Sequence, residues 1–235
     1  MKEILKYMLE LYALKLPDFV RDYNTLIDYI SPTKKAKLSK FKNISDSYRT
    51  LLSEILIRKI AIDSFNIENS EIIIEFTAHG KPFIENNPFY FNISHSGKWI
   101  VAIIGNTEVG IDVEEIKPID LSIADYCFSR KESAYLQEKK TSEKLISFYN
   151  TWTLKECFIK YVGQGLSIPL NSFSIMNQPE GIYIEQSVTS QTPFFKQYNI
   201  DPLHTIAACS NNNNFPKDLT VINYNDLLTI LNKDK

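Results

Sequence analysis

Phe91-Asn92-Ile93-Ser94-His95-Ser96-Gly97-Lys98-Trp99-Ile100-Val101-Ala102-Ile103-Ile104 reads as two strands, 91–94 and 99–104, joined by a turn at 95–98. Aromatic and β-branched residues crowd both runs, and Gly97 breaks them. Upstream, Ser45 precedes a stretch through Ile60 in which Tyr48, Leu51, Leu52, Ile55 and Leu56 recur at helical spacing, which predicts a helix with one buried stripe. Ser31-Pro32-Thr33 places a capping serine and an N1 proline before a shorter, lysine-bearing helix. Residues 72–76 add a strand, so helices precede a sheet. After Gly110 the order repeats, with helices across 122–163 and then strands at 173–176, 182–187, 195–199 and 205–209. Short segments echo one another as well: Asn92-Ile93-Ser94-His95 resembles Asn199-Ile200-Asp201-Pro202, and Arg49-Thr50-Leu51 resembles Trp152-Thr153-Leu154. Chance accounts for matches this short as readily as duplication does. If the echo is real, the chain is two related halves with a cleft between them. Residues 211–216 read as a loop, and 224–231 as a short terminal element without evident chemical use.

A chain of 235 residues buries about 70% or more of its unfolded surface and needs no disulfides to be stable. Its 26 Lys and Arg against 28 Asp and Glu leave a net charge of −2, which argues against non-specific nucleic-acid binding. The longest apolar run, 99–104, falls far short of the roughly 20 residues of a membrane helix. Lys2, Glu3, Lys6 and Glu10 interrupt the N-terminal apolar pattern, unlike a secretory signal. Three cysteines without C-x-x-C spacing fit a reducing compartment, and the expected location is the cytoplasm. The seven glycines form neither G-x-x-x-x-G-K-[ST] nor G-x-G-x-x-G, so any phosphate must be held by basic side chains and metal.

In Gly110-Ile111-Asp112-Val113-Glu114 a strand would turn Ile111 and Val113 to a core and both carboxylates to the other face. Two such charges ~4 Å apart cost about 1 kcal/mol in water and more in a cleft. A bound cation removes that repulsion; a solvent-exposed strand face also accommodates the pair. Leu145, Phe148, Tyr149 and Trp152 form a helical apolar stripe, and Glu156, eleven residues past Leu145, returns to the same face. Such a carboxylate needs a cationic partner or a metal. Lys160, one turn on, is the nearest candidate, and an ordinary surface Glu–Lys pair has the same spacing. Three carboxylates with water and substrate oxygens suit Mg²⁺, and no His or Cys at ligand spacing points to zinc. Lys34, Lys35, Lys37, Lys40 and Lys42 form a basic run that a solvated helix face also explains.

Gly80-Lys81-Pro82, Phe91-Asn92-Ile93-Ser94-His95-Ser96, Gly110-Ile111-Asp112-Val113-Glu114 and Trp152-Thr153-Leu154-Lys155-Glu156-Cys157-Phe158-Ile159-Lys160 together resemble the 4'-phosphopantetheinyl transferases, of the surfactin-synthetase-activating type. The resemblance runs from the Ser31-Pro32 region to the end of the chain. It implies an α+β fold of two similar halves, 1–108 and 109–235, related by a pseudo-twofold with the active-site cleft between them. It implies Mg²⁺-dependent transfer of phosphopantetheine from coenzyme A to a serine of an apo carrier protein, releasing adenosine 3',5'-bisphosphate. The carriers would be those of nonribosomal peptide, polyketide or fatty-acid synthesis, antibiotic biosynthesis included. By the same resemblance Asp112, Glu114 and Glu156 occupy the metal positions. Lys34, Lys37, Arg49, Thr50, Lys81, Ser94 and His95 look like the nucleotide-holding set, with Lys160 near the diphosphate and Glu156 as general base. Leu121, Tyr126 and Phe128 are candidate carrier contacts. A monomer without membrane or nucleic-acid partners is expected. A Mg²⁺-dependent nuclease, reading Asp112 with Glu115-Ile116-Lys117, and a scaffold without turnover are the rival readings.

Overall fold

The computed structural model describes residues 9–85 and 89–232; Lys2, Glu3 and Lys6 lie outside them. The first half runs β1 (Leu9–Lys15), α1 (Tyr23–Ile27), α2 (Pro32–Leu38), α3 (Ile44–Phe65), a small hairpin β2 (Ile74–Phe76) and β3 (Pro82–Ile84), then a larger hairpin β4 (Tyr90–Ser96) and β5 (Trp99–Gly105). The second runs β6 (Val109–Glu115), α4 (Ala124–Cys127), α5 (Arg130–Glu138), α6 (Thr141–Val162), the small hairpin β7 (Ser174–Gln178) and β8 (Gly181–Glu185), and the larger β9 (Phe194–Asp201) and β10 (His204–Ser210). Strand, 22-residue helix, small hairpin and large hairpin thus occur twice. Within each half the first strand pairs antiparallel with the last, β1 with β5 and β6 with β10. The tail adds β11 (Thr220–Ile222) and α7 (Tyr224–Leu228), giving sheets β11-β1-β5-β4 and β6-β10-β9. The fold is α+β, as expected.

Alternation along the strands builds the layers. Trp99, Val101 and Ile103 face Ile111, Val113, Ile206 and Ala208 between the two sheets. Ile100, Ala102 and Ile104 turn the other way, under the stripe of α3. A strand covered on both faces reads as an unbroken apolar run, which is why β5 shows no alternation. On the far side Ala207 and Cys209 lie under Leu154, Cys157, Phe158 and Tyr161 of α6. The order is therefore helix, sheet, sheet, helix. Strand β6 lies so close to α6 that a Cβ at Gly110 would stand 2.1 Å from the Cys157 carbonyl oxygen.

Edges β4 and β6 meet without a strand ladder. Alternate residues of β4 reach across instead: Asn92 Oδ1 accepts from Ile111 N at 3.0 Å, Ser94 Oγ donates to Asp112 at 2.8 Å, and Ser96 Oγ donates to Glu114 at 2.9 Å. This polar seam fixes where the β6 carboxylates point.

Several local expectations change. Asn43, not Ser45, caps α3, its Oδ1 accepting from Ser45 N at 2.9 Å, and the helix continues to Phe65. The 122–163 helical region is three helices, broken where Ser129 caps α5 and shares a capping box with Glu132. β1 was not expected as a strand. The terminal element has a structural role: Leu227 and Ile230 are buried in the α3 core, so 220–232 packs on the first half although it follows the second in sequence. Among the described residues no helix is long and apolar enough to cross a membrane.

Candidate active site

Five elements converge on a cavity of about 330 Å³ at the seam. Helix α2 supplies Lys34 and Lys37, α3 supplies Thr50 and Ser53, β4 supplies Ser94 and His95, β6 supplies Asp112 and Glu114, and α6 supplies Glu156 and Lys160. The Ser31 cap and Pro32 at N1 set the start of α2, and Glu54 of α3 holds that start by accepting from Ser31 N at 2.8 Å. The consequence is a fixed lysine register. Lys35 turns away to pair with Asp28 at 3.0 Å, while Lys34 and Lys37 face the cavity.

At the other end Lys160 Nζ lies 2.5 Å from Asp112 Oδ1 and donates to Ser94 Oγ at 2.8 Å. The expected Glu156–Lys160 pair is absent among the described ion pairs, because β6 brings Asp112 within closer reach of the ammonium. Asp112 is 2% exposed and its Oδ2 has no hydrogen-bond partner. Burial, followed by the Asp112 charge, pushes the Glu114 carboxyl up to about 7. Burial and then Asp112 raise Glu156 in the same way. Burial pulls the Lys160 ammonium down, but Asp112, Glu156 and Glu114 outweigh it and hold its pKa raised. Burial lowers Lys34. The protein packed around the His95 ring, and then Arg49, Lys160 and Lys34, hold that imidazole below its usual value.

A second cavity of about 210 Å³ shares Ile93 and Lys160 with the first and extends the groove past His79, Pro82 and Gly163. The groove is thus cationic toward α2 and carboxylate-lined along β6 and α6. Over 204 residues the chain is 38% identical to "4'-phosphopantetheinyl transferase Sfp" of Bacillus subtilis (strain 168), covering 86% of this chain and 91% of that one. The chain belongs to the 4'-phosphopantetheinyl transferase superfamily. Residues 108–212 match that superfamily's model, and 18–107 match the model of the 4'-phosphopantetheinyl transferase N-terminal region. The human L-aminoadipate-semialdehyde dehydrogenase-phosphopantetheinyl transferase is 28% identical over 240 residues, covering 85% of this chain and 78% of that one. A holo-(acyl-carrier-protein) synthase from Bacillus anthracis, solved in complex with CoA (3',5'-ADP), aligns at 17% identity and a TM-score of 0.40, over 44% of this chain and 93% of that one.

In this transferase the cavity gathers Lys34, Lys37, Thr50, Ser94, His95, Asp112, Glu114, Glu156 and Lys160. Two residues of the nucleotide set stand outside it. Arg49 donates to Gly97 O at 2.9 Å and to Asp46, tying down the β4–β5 turn. The Lys81 ammonium is engaged by Glu108 at 2.5 Å and the Tyr161 carbonyl at 3.0 Å, and the residue lines the extended groove instead of the first cavity. Glu115 pairs with Lys117 at 2.7 Å and does not line the cavity with Asp112, which removes the geometry of the nuclease reading. Of the three candidate carrier contacts, Phe128 is buried in the core with Phe148, Leu121 is half-buried, and Tyr126 is 78% exposed. Sequence reasoning missed Ser53; its position three residues after Thr50, one helical turn on, is its only signal.

Proposed function

We propose that the transferase binds coenzyme A along this groove and moves the 4'-phosphopantetheine arm to a serine hydroxyl of an apo carrier protein, releasing adenosine 3',5'-bisphosphate. The observation that carries the reading is the partition of one cavity into an ammonium end, Lys34 and Lys37, and a carboxylate end, Asp112, Glu114 and Glu156. Among the described residues no three metal-binding groups form a preformed cage. The donors nevertheless fit a hard cation: all three are carboxylates on one cavity, Asp112 Oδ2 is buried without a partner, and Asp112 raises both glutamates. Asp112, Glu114 and Glu156 would hold Mg²⁺, which supplies charge neutralisation on the diphosphate.

Lys160, positioned by Ser94 and Asp112, places a permanent positive charge where the leaving phosphate develops charge. The serine oxygen forms the new P–O bond as the diphosphate P–O bond breaks, and adenosine 3',5'-bisphosphate departs with the bonding pair. Glu156, whose pKa burial and then Asp112 raise in the metal-free protein, takes the hydroxyl proton. His95 and the α2 lysines orient the nucleotide, so much of the rate comes from positioning. The carrier would dock beside the 117–126 segment, where Tyr126 and the Lys117 side chain are exposed. We further propose a cytoplasmic monomer with neither membrane nor nucleic-acid partner, in keeping with the net charge of −2 and three free thiols.

The test incubates the protein with apo carrier, coenzyme A and Mg²⁺ and weighs the carrier by mass spectrometry. A gain equal to the phosphopantetheine arm, lost in Asp112→Ala and Glu156→Ala, is expected. An unmodified carrier refutes the transfer, and near-normal turnover in the variants refutes the metal assignment.

A further inference from the structure

Ser53 is 3% exposed, and its hydroxyl has no hydrogen-bond partner. A serine or threonine within a helix commonly returns its hydroxyl to a carbonyl of the preceding turn. Thr153 does so on α6, donating to Tyr149 O at 3.0 Å. Ser53 does not, and a buried hydroxyl left unpaired lowers stability. The residue lines the cavity wall with Thr50, Lys34 and Lys37. Neither of those two ammoniums is in an ion pair among the described residues, although Lys35 between them is paired with Asp28. The one buried carboxylate close by, Glu54, is already occupied by Ser31 N and by Arg58 at 2.8 Å each. Two ammoniums outside any described ion pair and an unpaired buried hydroxyl on one wall suit an anion with several acceptor oxygens.

The substrate proposed above carries two such groups. Its diphosphate must lie with Asp112, Glu114, Glu156 and Lys160 for transfer to occur, which leaves the 3'-phosphate for the α2–α3 wall. We propose that Ser53 is a phosphate-binding residue whose hydroxyl donates to the 3'-phosphate and so helps the enzyme select 3'-phosphorylated nucleotides. The inference rests on the coenzyme A reading of the cavity. It also makes Ser53 a group that gains its partner only in the complex.

Calorimetry without divalent metal tests it, using adenosine 3',5'-bisphosphate and adenosine 5'-monophosphate against the wild type, Ser53→Ala and Lys34→Ala. The wild type should prefer the bisphosphate. Ser53→Ala should weaken the bisphosphate by about tenfold, the size of a lost hydrogen bond to a charged partner, and leave the monophosphate unchanged. Urea unfolding of free Ser53→Ala should show stability equal to or above wild type, because the unpaired hydroxyl is gone. If the wild type binds both nucleotides alike, the coenzyme A reading of this cavity fails, and this inference with it. If the wild type prefers the bisphosphate and Lys34→Ala weakens it but Ser53→Ala does not, only the role of Ser53 is overturned. Equal weakening of both nucleotides with a lower unfolding midpoint makes Ser53 structural and also overturns it.

Discussion

Replacing Glu132 by Gln should destabilise this protein without touching the reacting groups. Glu132 on α5 and Lys155 on α6 are 1% and 0% exposed in their side chains and form the most deeply buried ion pair described. Lys155 Nζ donates to both carboxylate oxygens, at 2.8 and 2.7 Å, and to Phe173 O at 2.8 Å. Those oxygens also accept from Ile175 N and Ser129 N, each at 2.7 Å. Burial pulls the Lys155 pKa down in spite of Glu132, so the ammonium depends on that one carboxylate. Glu132→Gln removes the counter-charge and turns an amide N–H₂ toward one of two backbone donors. Breaking such a pair from one side costs about 3–5 kcal/mol, which for a chain this size lowers Tm by about 6–20 °C. Lys155→Met leaves the carboxylate unpaired and should cost a similar amount. The double variant removes both charges, so its loss should fall short of the sum of the singles by about 2 kcal/mol or more. Urea unfolding of the four proteins gives the cycle. Additivity within ~0.5 kcal/mol would refute the claim that each charge is buried only because the other is there.

Gly110→Ala should be far more damaging than Gly80→Ala. The first drives a Cβ to 2.1 Å from the Cys157 carbonyl oxygen and 2.7 Å from Tyr161 N, whereas the second meets open space and is opposed only by a φ of +83°; thermal denaturation should separate a loss of several kcal/mol from one of about 1–2 kcal/mol. Leu227→Ala, at a fully buried position of α7, should cost about 2–5 kcal/mol in urea unfolding, and a loss below 1 kcal/mol would show that the tail does not support the first half. His95 is held below its usual value, so in the free protein it is neutral at pH 7, and stability falls as pH drops through 6.5, where the unfolded state takes up the proton first. Anion binding should raise the imidazole again. Calorimetry of adenosine 3',5'-bisphosphate near pH 6, in buffers of different ionisation enthalpy, should therefore show more proton uptake in the wild type than in His95→Gln; equal uptake would remove His95 from the phosphate site.

The elements that could be read from sequence were those whose signal is local. β4, β5 and β6 carry turn residues or alternation within a few positions, and the α6 stripe locates its own buried face. β1 and β11 do not: Leu9–Lys15 has apolar residues on both faces, and the order of β11 depends on pairing Tyr12 with Thr220, some two hundred residues away. The site divides in the same way. Asp112 and Glu114 followed from a two-residue period on one strand. Helical spacing offers Lys160 as the nearest candidate partner for Glu156, whereas its ammonium bonds to Asp112 on β6, a strand that the close approach at Gly110 brings against α6. Ser53 could not be distinguished from an ordinary helical serine until its missing partner was visible.

Two halves with the same order of elements imply two seams, β4 against β6 and β9 against β1, and the candidate site sits at the first. At the second, β11 occupies the free edge of β1 in parallel register. The approach to β11 is fixed to β9, where Lys196 Nζ and Tyr198 OH donate to Pro216 O at 2.6 and 2.9 Å. Phe215 and Leu219 pack against the core between the sheets. The tail thus fills the second seam. The remaining seam is spanned by side chains instead of ladder bonds, and side chains leave room for a ligand where a continuous sheet would not. Unequal use of the halves follows, with ammoniums and hydroxyls from α2 and α3 on one wall, and carboxylates and Lys160 from β6 and α6 on the other. On the proposed reading, such a division would let one wall bind the nucleotide while the other carries out the transfer.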